Sequence, residues 1–216
     1  MNTNDKPPAA IKAVLLDWGG VMEPIPGPAE IAAWETRLGI AADSLPAILW
    51  GDLWQRVEVG AATLDEYGAS ICAACGFPDQ AALDAFYAEF YPRGARPEMV
   101  AAVRALRPRY HIALITNAWQ GQREHIEELI GGPVEDLFEH YVNSAEVGVR
   151  KPAPAIFHLA LARLGVAPAE AVFIDDVPAN VGAAAALGIH AIHFQDPATV
   201  LATLEGLLGH PLSDAM

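Results

Sequence analysis

The sequence predicts an α/β chain, a parallel sheet with helices on both faces and an inserted all-helical unit. Three observations predict it. Short apolar runs alternate with helical stretches along most of the 216 residues, the pattern of strand–helix–strand crossovers. Two of those runs end in carboxylates, Asp17 and the pair Asp175-Asp176, and sheets of this kind bind ligands beyond the carboxyl ends of their strands. Residues 24–95 contain no convincing strand.

The first strand is expected at 13–16 and ends in Asp17, followed by Trp18-Gly19-Gly20. Glycines there let the backbone come close to a ligand. The run Pro24-Ile25-Pro26-Gly27-Pro28 then breaks the pattern. Helices are expected at 28–38, 45–56, 63–75 and 80–90, punctuated by Gly39, Gly60 and Gly76. Such an insert, with hinges at both ends, reads as a small lid over the strand ends. The alternation resumes with a helix at 97–106 entered through Pro97. A strand at 111–116 ends in Thr116-Asn117 and precedes a helix at 120–130. A weaker strand at 141–143 and a helix at 153–164 follow. The strand at 171–174 leads into Asp175-Asp176, and the helix at 179–187 stops at Gly188 before a last strand at 189–194. Residues 1–23 and 96–216 therefore form the expected core and 24–95 the expected cap. The opening MNTNDKPPAA is polar and proline-bearing and reads as a disordered lead-in, not as a signal or transit peptide.

The chain carries 27 acidic and 13 basic residues, a net charge of −14. That argues against nucleic acid and anionic membranes as partners. No run approaches the ~18 apolar residues of a membrane span, and the expected compartment is the cytoplasm. Hydrophobic residues make up 53% of the chain, enough for a sizeable core. Cys72-Ala-Ala-Cys75 reads as two small buried residues in an alanine-rich helix, because one such pair is too few ligands for zinc.

Four segments carry chemistry: LLDWGGV, HIALITNAW, VGVRKPAP and AVFIDDVPANV. Carboxylates at two strand ends suggest one divalent-metal site, and Lys151 is the local cation that would offset an acidic field. Each segment alone has an ordinary reading: a turn aspartate, a Thr-Asn turn, a Lys-Pro helix entry, an acidic helix cap. All four in this order resemble the haloacid dehalogenase-like hydrolase superfamily, and in particular its phosphatase-rich branch with a helical cap after the first motif. The resemblance runs over residues 13–194.

The resemblance implies a Rossmann-like three-layer core and an enzyme that dephosphorylates a small phosphorylated metabolite. Asp17 would be the nucleophile, forming an aspartyl-phosphate and splitting one displacement into two. Mg²⁺ would be held by the Asp17 side chain, the Gly19 carbonyl and Asp176, with Asp175 acting through water or from behind. The Thr116 hydroxyl and the amides of Asn117 and Ala118 would hold the phosphoryl oxygens. Lys151 would be the fixed catalytic cation, and Asn180 would orient the acidic pair. Phosphoryl transfer chiefly needs this alignment and charge neutralisation.

One position departs from the pattern. Phosphatases of this superfamily usually carry a second aspartate two residues after the nucleophile as general acid and base. Gly19 stands there instead, and losing such a group costs about 10²–10⁴-fold in rate. Three readings stay open: another proton donor, with Glu23 first and Asp52 and Glu58 behind it; a substrate with a good leaving group; or binding without efficient turnover. The superfamily's 2-haloacid dehalogenases also lack that aspartate and need no metal. The pair Asp175-Asp176 would be self-repulsive without a cation and favours metal-dependent phosphoryl chemistry. Substrate selection would lie in the cap, although most of Trp34, Trp50, Trp54 and Tyr67 are expected to form the cap's own core. Trp54 and Arg56 are the cap residues that could face the site. Trp119 is expected at the entrance or on the core, and His125 on a helix surface. The sequence leaves the oligomeric state open.

Overall fold

The computed structural model describes residues 10–92 and 94–212. The expected lead-in, apart from Ala10, lies outside them. Five strands form one parallel sheet: β1 (Ala13–Leu16), β2 (His111–Thr116), β3 (His140–Asn143), β4 (Ala171–Asp175) and β5 (His190–His193). Their order is β3-β2-β1-β4-β5. β1 is central because all four of its residues are apolar and buried on both faces. Leu16 pairs with Leu114 on one side and with Ile174 on the other. The register therefore brings Asp17, the Thr116 end of β2 and the Asp175 end of β4 to one edge. The chain builds outward from β1 through β2 to β3, then returns to β1's other side as β4. That reversal makes a crevice beside β1, the usual ligand position in such sheets.

The inserted helices are α1 (Pro28–Leu38), α2 (Leu45–Trp50), α3 (Asp52–Val57), α4 (Leu64–Cys75) and α5 (Gln80–Phe90). The remaining helices are α6 (Pro97–Leu106), α7 (Gln122–Ile130), α8 (Ser144–Val147), α9 (Pro154–Leu164), α10 (Pro178–Ala186) and α11 (Pro197–Leu208). Strand alternation sorts the core into two layers. Val14 and Leu16 pack with residues of α6, α7 and α11, whereas Ala13 and Leu15 pack with α9 and α10. The inserted helices share a separate apolar cluster that includes Leu49, Tyr67, Ile71, Leu83 and Phe86. Trp34 belongs to it, set edge-on to Phe86 at 4.8 Å. Cys72 and Cys75 are free thiols in α4. Among the described residues no helix is long and apolar enough to cross a membrane.

Two local features differ from the sequence expectation. The helix expected at 45–56 is two helices, broken where Gly51 is extended (φ −76°, ψ −162°). A Cβ at Gly51 would run into the Ala47 carbonyl, so only glycine lets the chain fold back so tightly there. α2 is started from outside itself: the buried Glu35 carboxylate of α1 accepts from the amides of Asp43 (3.0 Å) and Leu45 (2.9 Å). The second difference is α11, which follows the last expected strand. Asp196 caps it by accepting from the Thr199 amide at 2.9 Å.

Candidate active site

Asp17 leaves β1 directly into the crevice, with 8% of its surface exposed. Its Oδ1 accepts from the Trp18 amide at 2.7 Å and from Lys151 Nζ at 2.8 Å. Lys151 is wholly buried and also meets Asp175 Oδ2 at 2.7 Å. One cation thus bridges the ends of β1 and β4. Burial alone would lower the Lys151 pKa, but Asp17 and Asp175 outweigh it and hold it above its ordinary value. Asp175 is positioned in turn by the Val177 amide (2.8 Å) and by Asn180 Nδ2 (3.0 and 3.1 Å). Asn180 therefore stands one turn into α10 with its amide turned back on the acidic pair.

Lys151 owes its place to Asn117. Asn117 Oδ1 accepts from the Lys151 amide (2.8 Å) and its Nδ2 donates to the Lys151 carbonyl (2.9 Å). The side chain after β2 so clamps the backbone of the lysine loop. The loop after β2 is held from β3: Asn143 Nδ2 donates to the Trp119 carbonyl (2.9 Å), and the Ala118 amide donates to Ser144 Oγ (2.9 Å). The Ala118 amide is thereby occupied, contrary to its expected role at a phosphoryl oxygen. Asn143 and Ser144 were not singled out by sequence reasoning. Their signal was a polar Asn-Ser pair at a strand end, as in Thr116-Asn117.

Asp17, Asp175 and Asp176 each offer an oxygen within 4.8 Å of the others. Burial first, then the neighbouring Asp175, pushes the carboxyls of Asp17 and Asp176 up, with Lys151 opposing. Three carboxylates and one ammonium carry a formal charge of −3 + 1 = −2. A hard divalent cation matches that charge and donor set. Gly20 makes room for the Asp176 carboxylate: at φ +79° it lies against that group, where any Cβ would collide. The donor set therefore fits Mg²⁺, with Gly19 on the same wall.

These groups floor a cavity of about 950 Å³ whose roof is formed by α2, α3, α4 and α5. Glu23 lines it and is fully engaged: its carboxylate accepts from Trp18 Nε1 (2.6 Å) and meets His125 Nε2 at 3.0 Å. His125 is thus no plain surface histidine. The hydrogen bond it donates to Glu23 holds its pKa above the ordinary value, against its partial burial. Trp119 lies 5.8 Å from the His125 ring and 6.1 Å from Trp54, lining the cavity and packed against the cluster of the inserted helices. Trp54 faces the cavity but Arg56 does not; Arg56 donates to the Ala61 carbonyl at 3.1 Å. The arginine at the cavity is Arg150, paired with Glu58 of the α3 end at 2.7 Å. Burial raises the Glu58 pKa, with Arg150 opposing it. Asp52 is exposed and outside the cavity lining.

Comparison with known proteins agrees with this architecture. A family model described as haloacid dehalogenase-like hydrolase matches residues 11–188. The chain is 33% identical over 93% of its length to acyl-CoA dehydrogenase family member 10 of Mus musculus, but spans only 19% of that protein. It is 28% identical to bifunctional epoxide hydrolase 2 of Rattus norvegicus over 56% of its own length, and spans 22% of that protein. D-ribitol-5-phosphate phosphatase of Bacteroides thetaiotaomicron is 28% identical, with 82% of this chain and 89% of that protein aligned. Among solved structures, a HAD family enzyme of Bacteroides thetaiotaomicron superposes with a TM-score of 0.71 at 25% identity, covering 87% of this chain and 95% of that one. With its parallel sheet, inserted helices and strand-end carboxylates, the chain belongs to the haloacid dehalogenase-like hydrolases.

Proposed function

We propose that the protein is a Mg²⁺-dependent phosphatase that removes phosphate from a small phosphorylated metabolite through an aspartyl-phosphate on Asp17. The observation that carries this reading is the set Asp17, Lys151, Asp175 and Asp176 at one sheet edge, with a charge of −2 beside a cavity. The phosphatase relative that aligns over most of its own length supports it. We assign residues 24–95 to a cap and residues 1–23 and 96–216 to the catalytic core.

Asp17 attacks phosphorus as its carboxylate, forming the Asp17–phosphorus bond as the bond to the leaving oxygen breaks. Water then attacks the same phosphorus and returns Asp17. Lys151 keeps Asp17 oriented through its 2.8 Å contact and favours its ionised form against the burial that raises its pKa. The Thr116 hydroxyl and the Asn117 amide hold the phosphoryl oxygens, while the Ala118 amide stays with Ser144. Asp17, the Gly19 carbonyl and Asp176 would hold Mg²⁺, with Asp175 and Asn180 behind them. When bound, the metal supplies positive charge against the meeting of two anions. In place of a carboxylate at residue 19, the proton for the leaving oxygen comes from the Glu23–His125 pair: His125, favoured in its protonated form by Glu23, passes its proton through their 3.0 Å contact as the leaving oxygen departs. The acidic pair Asp175-Asp176, of which only Asp175 meets Lys151, disfavours the metal-free dehalogenase reading. The free thiols Cys72 and Cys75 suit a reducing compartment such as the cytoplasm.

A phosphate-release screen over sugar, nucleotide, acyl and alkyl phosphates, with Mg²⁺ and with EDTA, tests the proposal. Metal-dependent release that Asp17→Asn abolishes in a folded protein is the expected result. EDTA-insensitive release rejects the metal, and turnover by Asp17→Asn rejects the nucleophile.

A further inference from the structure

We infer that the group carried by the substrate's phosphate is an extended apolar one, a hydrocarbon chain rather than a sugar or nucleoside. The inference rests on the phosphatase reading for its anionic end, and on the cavity alone for its apolar end.

The two ends of the cavity differ in chemistry. Its floor holds the Asp17 and Asp176 carboxylates, Lys151 and Asn117. Above them the walls are rings and aliphatic groups, with Trp50, Trp54, Tyr87 and Trp119 beside Ile25 and Leu83. Most polar groups interleaved with these bond to protein or close an ion pair; the Tyr87 hydroxyl is the exception, buried with no hydrogen-bond partner among the described residues. Tyr67 OH donates to the Leu49 carbonyl (2.7 Å) and Trp50 Nε1 to Tyr91 OH (3.2 Å). Gln80 Nε2 donates to Asp84 (2.8 Å), and Glu58 is closed by Arg150 (2.7 Å). Glu23 and His125 hold each other. Beyond the one free hydroxyl of Tyr87, a polyol in this space would bury its hydroxyls against groups already engaged, each unmade bond costing roughly tenfold or more in affinity.

The rim gives a second, independent indication. Among the described residues four large hydrophobics stand out as exposed: Ile25, Leu64, Val177 and Leu207. The first three all line this cavity. They come from three separate segments, so their meeting is a tertiary arrangement and not one apolar stretch of chain. Exposed apolar groups gathered at a concave site mark ligand or partner contact. At about 950 Å³ the space is at the upper end of the range for sites that bury drug-sized ligands, about 300–1,000 Å³.

The test compares butyl, hexyl and octyl phosphate with glucose 6-phosphate in the Mg²⁺-loaded protein, reading kcat/KM. Binding of the matching alkylphosphonates is read in parallel by calorimetry. The expected result is a rise of about fourfold per added methylene in both series, with the sugar phosphate below octyl phosphate. Trp54→Ala should flatten the rise while Trp54→Phe keeps most of it, so a misfolded alanine variant does not decide the matter. Release that is flat along the alkyl series and best on the sugar phosphate overturns the inference and leaves the phosphatase standing. No release from any phosphate, with phosphonate affinity still climbing with chain length, supports the apolar site and overturns the phosphatase. Flat binding with no release overturns both.

Discussion

Gly19→Asp should raise turnover of poor leaving groups by at most about 10²–10⁴-fold, the usual contribution of a positioned general acid, less what the Glu23–His125 pair already supplies. That corresponds to roughly 2.7–5.5 kcal/mol of barrier. The structure allows the substitution. A Cβ at Gly19 meets nothing nearer than Ile25 Cγ2 at 4.0 Å, and the residue is outside the left-handed region. The neighbouring position is the opposite: Gly20 is at φ +79° and a Cβ there collides with the Asp176 carboxylate. Gly20→Asp is therefore the control and should lose both stability and activity. The new carboxylate at residue 19 joins three others opposed by Lys151, so its cost should shrink as Mg²⁺ is added. The assay is phosphate release at saturating Mg²⁺ from octyl phosphate and from nitrophenyl phosphate. The gain should be large on the alkyl ester and small on the nitrophenyl ester, whose leaving oxygen needs little protonation. A Gly19→Asp protein that melts like the parent yet gains nothing on octyl phosphate would refute the claim that residue 19 limits turnover.

Lys151→Met should cost about 3–5 kcal/mol, because it leaves Asp17 and Asp175 buried without their shared cation; urea denaturation without metal reads it, and an unshifted midpoint would show that the bridge is not structural. His125 has a raised folded pKa, so its contribution to stability is complete below about pH 6.5, its unfolded value, and fades as pH climbs through the folded value. Melting temperature of the parent should therefore fall between pH 6 and pH 8 by more than that of His125→Gln, and identical slopes would contradict the Glu23 pairing. Glu35→Ala removes the acceptor for the Asp43 and Leu45 amides and should cost about 1–3 kcal/mol, seen as a lower urea midpoint; no shift would mean that water replaces the carboxylate.

The strands were legible because a parallel sheet buries both faces. AVLL, HIALIT and AVFID are near-continuous apolar runs, and their ends name Asp17, Thr116 and Asp175. The insert was legible too, as helical periodicity between two proline- and glycine-rich joints. Position along a strand then implied position at the crevice, since parallel register aligns the carboxyl ends. What the sequence could not state is which side chains meet across distance. Glu23 and His125 are 102 residues apart in the chain, and nothing local in either segment marks the other. Arg56 and Arg150 look alike as residues, yet docking of the insert turns the first outward and closes the second on Glu58. The break at Gly51 depends on its approach to Ala47, not on any loss of helical pattern. Ile25, Leu64 and Val177 become one rim only when cap and sheet are brought together. Sequence by itself determined the α/β order, the helical insert and which residues stand at the strand ends, because these follow from local periodicity and register. Tertiary structure alone decided the partners of Glu23 and Arg150 and the apolar character of the cavity, because facing and pairing are set by how distant segments pack.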